Sequence, residues 1–424
     1  MRKIWATLVG VMLVATGCAT QAGPAPVPGG LRLLKADVAR LDPPADAPVA
    51  QVVAGIATFG YNLAPAQPGG NWVASPASIA IVLAMLRAGA NGATADEIDH
   101  TFGFPAGVQD AFNALSRQLV TADVPPSTSD EPTRAPGAPA RPSVVCMGNA
   151  IFPAQGFPIK DSYLQVLAQQ YGSGVYPLDF QTSAAKDAID AWARDTTAGR
   201  IQKVFDHLDP ATAAVVANTV YFKGEWRVPF DDTNTADKPF HRADGSTVNA
   251  PTMRDQLGVG YAEGSGWQAI ELPYGEDGAY AMRVLLPTAG QSPRDLLNPS
   301  LGASFSTQPV DIELPKWDFA TDVPLLDELV RLGVVSAFDP NRADFSGISQ
   351  TGLYVSQAIH RANITVDEYG TQAAAVTAAA LMPTSAHAPA TISFHADHPF
   401  AFQIVHTATG TVLFDGIVVD PTAS

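Results

Sequence analysis

Few of the 424 residues combine into a reacting group. His395 and His398 sit at a spacing that metal ligands use, yet no Cys pair or spaced carboxylate nearby completes a site, and both fall where a strand begins. No Gly-x-Ser-x-Gly elbow, phosphate-cradling glycine loop or dinucleotide fingerprint occurs. Of the two cysteines, Cys146 lies in the apolar run Val144 to Phe152 and reads as a small buried hydrophobe. The chemistry this chain offers is strand pairing. Asp367 to Ala380 opens with Glu368, Gly370 and Thr371 and continues through Ala373, Ala374, Ala375, Val376 and Thr377 with almost no charge. Such a run lacks both the alternation of a half-buried strand and the stripe of an amphipathic helix, and its side chains are small enough to enter a crowded sheet. Alone, an alanine-rich stretch favours helix. The adjoining stretch, Leu381 to Pro389, reads as an exposed loop.

The surrounding elements must hold this segment. Val49, Val52, Val53, Ile56, Phe59 and Leu63 recur at helical spacing. Ala77 to Ala88 is nearly all apolar, which predicts a buried helix. Thr94 and Glu97 have the form of a capping box opening a third helix. Ile189, Trp192 and Ala193 mark another, stopped at Gly199. Val215 to Phe222 is a long β-branched and aromatic run, the signature of a strand covered on both faces. Leu353 to Val366 and Phe400 to Val419 are rich in strand formers, the second broken by a turn at residues 407–410. Between Thr121 and Pro142 lie six prolines, which predicts a floppy surface insertion.

Several blocks stand in a fixed order. Asn71 to Ile79 holds Ser75, Pro76 and Ser78; Met85 to Ile98 comes after it; Asn218 to Trp226 runs on to Pro229 and Phe230. Then come Ile270 to Tyr274, Leu285 to Pro287, Leu314 to Trp317, Ala343 to Gly347, and Phe394 to Phe400 with Leu413 to Gly416. This ordered set, from about residue 49 to the end, resembles the serpin family of protease inhibitors. The resemblance implies one large α+β domain over residues 49–424, with three β-sheets, about eight or nine helices and an exposed reactive-centre loop at 367–390.

It also implies a mechanism. A serine protease attacks the loop as a substrate, and the amino-terminal part of the loop then enters the central sheet as a new strand, trapping the acyl-enzyme. Glu368, Gly370, Thr371, Ala373 to Val376 and Thr377 match the hinge. Thr371 is the first inward-pointing side chain, and the hinge is expected near the surface before insertion. Ser75, Ser78, Asn218 and His360 match a polar latch on the sheet, and Trp226 an aromatic at its top. Counting 14 residues on from Gly370 reaches Thr384 and places the scissile bond at Thr384–Ser385. A small β-branched Thr384 suits an elastase-like pocket and not a trypsin-like one. A shift to Leu381 would favour chymotrypsin- or subtilisin-like enzymes. The competing reading is a non-inhibitory member that binds or carries, although such members usually have bulky, charged or proline residues in the hinge. The expectation is a monomer with no cofactor.

The formal charge is −16, which argues against nucleic acid or other polyanions as partners. Arg2 and Lys3 precede an apolar stretch, Ile4 to Ala15, too short to span a bilayer, which together form a secretory signal over residues 1–17. Gly17-Cys18 resembles a bacterial lipoprotein box, in which Cys18 would carry lipid and hold the protein at a membrane. Ala15 departs from the usual Leu, and ordinary cleavage after Ala22 is the alternative. Residues 18–48, rich in Pro and Ala, read as a disordered tether with a short helix at Leu31–Leu41.

Overall fold

The computed structural model describes residues 30–126, 134, 138–371 and 392–423. In chain order the elements are α1 Val49–Leu63, β1 Trp72–Ala74, α2 Pro76–Arg87, α3 Gly92–Phe102, α4 Val108–Leu119, β2 Val144–Pro153 and α5 Asp161–Val166. Next come α6 Ala184–Thr196, β3 Ala214–Glu225, β4 Ala236–His241, β5 Thr247–Gly264, β6 Trp267–Tyr274, β7 Tyr280–Pro287 and β8 Ser306–Pro315. The last are β9 Trp317–Val323, α7 Leu325–Leu332, β10 Gln357–Asp367, β11 Gly370–Thr371, β12 Ile392–His395, β13 Phe400–His406 and β14 Thr411–Val418. Seven α-helices are thus present among the described residues, the fifth prolonged by a π-turn at Leu167–Tyr171.

The strands form two hydrogen-bonded sheets. One has nine strands in the order β1-β14-β13-β7-β6-β5-β8-β12, with β4 also on β5; the other has five, in the order β2-β3-β11-β10-β9. Three sheets were expected. Hydrogen bonding runs continuously through two of them because β5 is 18 residues long, pairing with β4 and β8 along most of its length and with β6 at its end.

Burial explains the order of layers. β3 is buried along almost its whole length, as a central strand covered on both faces must be. On one face α6 brings Ile189 and Trp192 against Phe152, Val215 and Ala217. On the other lies the main core, where α2 is buried from Pro76 to Leu86 between the two sheets. Ser75 caps α2 by accepting from the Ser78 N–H at 3.3 Å, with Pro76 at the first helical position. α1 buries Val52, Ile56, Phe59 and Leu63, and Phe59 stacks on Phe102 with centroids 4.2 Å apart.

Three local expectations are overturned. First, α3 begins at Gly92 rather than behind a Thr94 cap. The Thr94 hydroxyl accepts from Asp344 N–H, and Glu97 accepts from Val335 N–H, Ser336 N–H and Ser336 Oγ, so distant chain took both capping groups. Second, the described part of the expected tether, residues 30–48, lies on the body and holds no helix at 31–41. Leu34 exchanges both backbone hydrogen bonds with Val175, and the Arg40 guanidinium donates to Asn113 Oδ1, Ser116 Oγ and the Gln170 carbonyl. Leu31 and Leu33 pack on the α6 cluster, an apolar gain that a solvated linker lacks. Third, the end of the proline-rich insertion is fastened down. Ala140 N–H donates to Glu276, and both the backbone and guanidinium of Arg141 donate to Glu225.

Candidate functional site

Among the described residues, the five-stranded sheet is closed at one end, has no strand between β3 and β10 in the middle, and is plugged at the other end. β3 and β10 pair directly, and in parallel, from Gln357↔Val215 to Arg361↔Thr219. At the far end the two-residue β11 sits between them, Gly370↔Glu225 and Thr371↔Gly224 on one side, Asp367↔Gly370 and Val366↔Thr371 on the other. Residues 220–223 and 362–365 between these ends have no strand from the described residues between them.

The plugged end is built from aromatics and one ion pair. Trp226 is buried, donates from its indole nitrogen to the Asp367 carbonyl at 2.9 Å and from its backbone to the Tyr369 carbonyl at 2.9 Å. Tyr274, from β6 of the other sheet, stacks on Trp226 with centroids 4.5 Å apart and 12° between planes. Its hydroxyl lies 2.5 Å from Thr371 Oγ1. Burial pushes the Tyr274 phenol well above its ordinary pKa, so it stays protonated. Thr371 is only 2% exposed, which corrects the expectation that the hinge lies near the surface before insertion: two of its residues are already in the sheet. Gly370 has φ 150°, and a Cβ there would lie 2.0 Å from the Gly224 carbonyl oxygen. A side chain at this position is excluded by both backbone and space.

Acidic groups tie off the turn between β10 and β11. Asp367 Oδ1 accepts from the Tyr369 and Gly370 N–H groups, yet burial pushes its carboxyl up to about 6. Glu368 receives Lys316 Nζ at 2.8 Å and the Thr235 hydroxyl at 2.8 Å. Burial would raise this carboxyl, but Lys316, the residue's own backbone and Thr235 together hold it below the usual range. Tyr369 donates to Asp232 at 3.0 Å.

The closed end gathers all four residues expected for the latch. The Ser75 N–H donates to His360 Nε2 at 2.9 Å, which leaves the proton on Nδ1, 2.7 Å from Asn218 Oδ1. The Asn218 amide donates to the Ser78 carbonyl at 2.9 Å, Ser78 Oγ at 2.6 Å and Asn149 Oδ1 at 2.5 Å. Burial pushes His360 down to about 3, so the ring is neutral. Asn149, on β2, was missed; its signal was a lone amide in an otherwise apolar strand. Tyr274, Lys316 and Asp367 were read as parts of motifs but given no role.

The remaining candidates separate. Ala373, Ala374, Ala375, Val376, Thr377, Thr384, Ser385 and Cys18 lie outside the described residues. His398 is engaged by Asp397 and the Pro287 carbonyl, each at 2.7 Å, while His395 sits 3.9 Å from Asp311. Among the described residues no three metal-ligating side chains come together. The Cys146 thiol is pushed up to about 12 by burial, which keeps it unreactive as a nucleophile.

A large sheet of five strands whose β3 and β10 meet directly at one end over a buried polar network, and hold Gly370 and Thr371 between them at the other, packed on a second sheet and seven helices among the described residues, defines the fold. Residues 57–421 match the family described as serpin (serine protease inhibitor). The chain is 33% identical to Serpin-Z1C of Triticum aestivum over 385 residues, 85% of this chain and 92% of that one. It is similar in fold to the thermophilic serpin tengpin in its native state, with a TM-score of 0.76, 23% identity and coverage of 91% and 97% of the two chains. It is likewise similar to human thyroxine-binding globulin complexed with its hormone, with a TM-score of 0.73, 26% identity and coverage of 88% and 100%. The protein belongs to the serpin family, whose members are in general inhibitors of serine proteases and not enzymes.

Proposed function

We propose that this protein inhibits serine proteases by inserting its own cleaved loop into the five-stranded sheet. The observation that carries this reading is that β3 and β10 pair directly at one end of the sheet and hold the hinge residues Gly370 and Thr371 between them at the other. Continuing the register of Thr371 sets residues 372–375 opposite 223–220 of β3 and 365–362 of β10. In that register Gln372 to Ala375 stand where the described residues place no other strand between β3 and β10. Ala373 and Ala375 would face the core beside Ile364 and Ala362, where larger side chains would meet a packed layer. The next residue, Val376, meets the closed Arg361↔Thr219 pair. Thr377 then falls between His360 and Asn218, where its hydroxyl can take over the hydrogen bond that the two lose on parting. The segment thus supplies small side chains where the slot is narrow and a hydroxyl where the latch must be replaced.

The scissile bond is Thr384–Ser385 and the targets are elastase-like. Export accompanies this, with Cys18 as the lipid attachment residue; incorporation of a fatty-acid label that Cys18→Ser abolishes would establish it, and equal labelling of both would exclude it.

Incubation with a panel of serine proteases, read on denaturing gels, tests the reading. An elastase-like enzyme should give a covalent complex that survives detergent, and the released carboxyl-terminal peptide should begin at Ser385. Trypsin should give little complex. Cleavage with no complex for any protease would leave the binding role, as in the hormone-binding relative.

A further inference from the structure

The hinge is held by two sets of contacts of different kinds. One is the ladder, which any strand in the slot would make. The other comes from outside the sheet: the hydroxyl of Tyr274, at the end of β6, meets Thr371 Oγ1. Every other feature of Tyr274 fixes where that hydroxyl points. Its ring is fully buried, clamped flat on Trp226 and edge-on to Phe222 at 5.0 Å. The backbone beneath it can approach only because residue 224 is glycine; a Cβ there would lie 2.7 Å from the Tyr274 ring. Among the described residues Thr371 is the partner given to this phenol. With the hinge withdrawn, this buried hydroxyl would lose Thr371 as its partner.

We infer that Tyr274 is a positioning residue that holds Gly370 and Thr371 of the uncleaved hinge in the sheet and fixes the register from which further insertion proceeds. A packed aromatic in one sheet thereby reads whether residue 371 of the other carries a hydroxyl. The consequence for trapping a protease rests on the inhibitory reading above. With the first pairs and the turn at 367–370 already formed, insertion starts by extending a ladder rather than by nucleating one. Loss of the Tyr274 contact would then shift the outcome from trapping towards simple cleavage.

The decisive measurement needs no protease. Amide hydrogen exchange of the Gly370 and Thr371 backbone is compared in the full chain and in Tyr274→Phe, Thr371→Val, the double variant and Thr371→Ser. Phenylalanine keeps the stacking and removes only the hydroxyl. Tyr274→Phe and Thr371→Val should each speed exchange there by about 3- to 10-fold, the range of one net hydrogen bond. The double variant should be no faster than either, and Thr371→Ser should stay close to the wild type. Exchange at Ala362 to Ile364, between β9 and β10, should not change. Unchanged exchange in Tyr274→Phe, additive effects in the double variant, or a rise throughout the sheet would overturn the assignment. A second arm counts inhibitor molecules cleaved per complex formed, which should rise in Tyr274→Phe. If the wild type forms no complex, the inhibitory reading fails while the exchange result still decides the role of Tyr274.

Discussion

The two ends of the slot do opposite things with buried polar groups. At the plugged end Trp226, Tyr274, Asp367 and Glu368 grip a turn and two hinge residues, and nothing in that grip has to break when more chain enters. At the closed end Ser75, Ser78, Asn149, Asn218 and His360 form a network that ties β3 to β10 directly, and the pair across the slot must part before a fifth new residue can pass. If the loop inserts as proposed, one region is a start site that insertion preserves and the other a barrier that insertion consumes. A metastable starting state needs both, because an unlatched slot would fill early and an unprimed one would fill too late to outrun deacylation.

The largest effect should come from placing a charge at the start site. Thr371→Arg puts a cation where the native side chain is 2% exposed, at a cost of several kcal/mol if it stays unpaired there. Because the hinge is already inserted, the variant should expel Gly370 and Thr371 even before cleavage. Their amide protection should vanish and complex yield should fall by more than about tenfold, with the protease recovered active. Retained protection with normal trapping would break the distinction between the two ends.

A smaller effect is expected at the barrier. Asn218→Ala removes one amide from a buried network and strands its partners, costing about 3 kcal/mol of the uncleaved fold. The melting temperature of the uncleaved protein should drop by several degrees. That of the loop-cleaved form should drop less, since there the His360–Asn218 contact has already been replaced. Equal losses in both forms would show that Asn218 is simply a core residue.

The smallest effect separates the ends by pH. His360 is held down to about 3 by burial, so its contribution to stability is complete above its unfolded value and is lost as pH falls from about 6.5 towards 3. Asp367, raised to about 6, contributes fully below its unfolded value and loses that contribution as pH rises through 6. Asp415, buried between α1 and the nine-stranded sheet and bonded to Gln403, behaves the same way through about 7. Over pH 4 to 6 the latch contribution therefore rises with pH while the two carboxyl contributions fall, so in thermal melts of the uncleaved protein they oppose each other, and Asp415 alone of the three goes on weakening it towards pH 7. His360→Gln should make the protein weaken more steeply as pH rises from 4 to 6, and Asp367→Asn and Asp415→Asn less steeply, each by roughly 1–2 kcal/mol. A pH dependence left unchanged by a substitution would remove that group from the account.

Much of this was legible in the chain because it depends on local composition. The small side chains after Gly370, the helical period of α1, the apolar run that becomes α2 and the doubly covered strand β3 each arise from a few adjacent residues and the period of their element. The four residues that the family resemblance assigned to a latch meet in one hydrogen-bonded network, as polar groups inside apolar blocks must. Other readings failed where a group found a distant partner in place of a near one. Thr94 and Glu97 are the case in point: helix capping was the local choice, and Asp344 and Ser336 outcompeted it. The segment 30–48 reads as linker by composition, but Arg40 reaches acceptors on α4 and Leu33 reaches an apolar cluster.

What the sequence determined by itself is composition: residues 373–377 carry only small or β-branched uncharged side chains whatever surrounds them. It also places Ser75, Ser78, Asn218 and His360 in or beside apolar runs, where buried polar groups need partners. That Gly370 and Thr371 lie in the sheet was decided only by the tertiary structure. Their place depends on the register of β11 against β3 and β10, and on a hydroxyl pair joining residues 97 apart in two different sheets. Register and cross-sheet contact are properties of how elements meet, and no window of adjacent residues contains them.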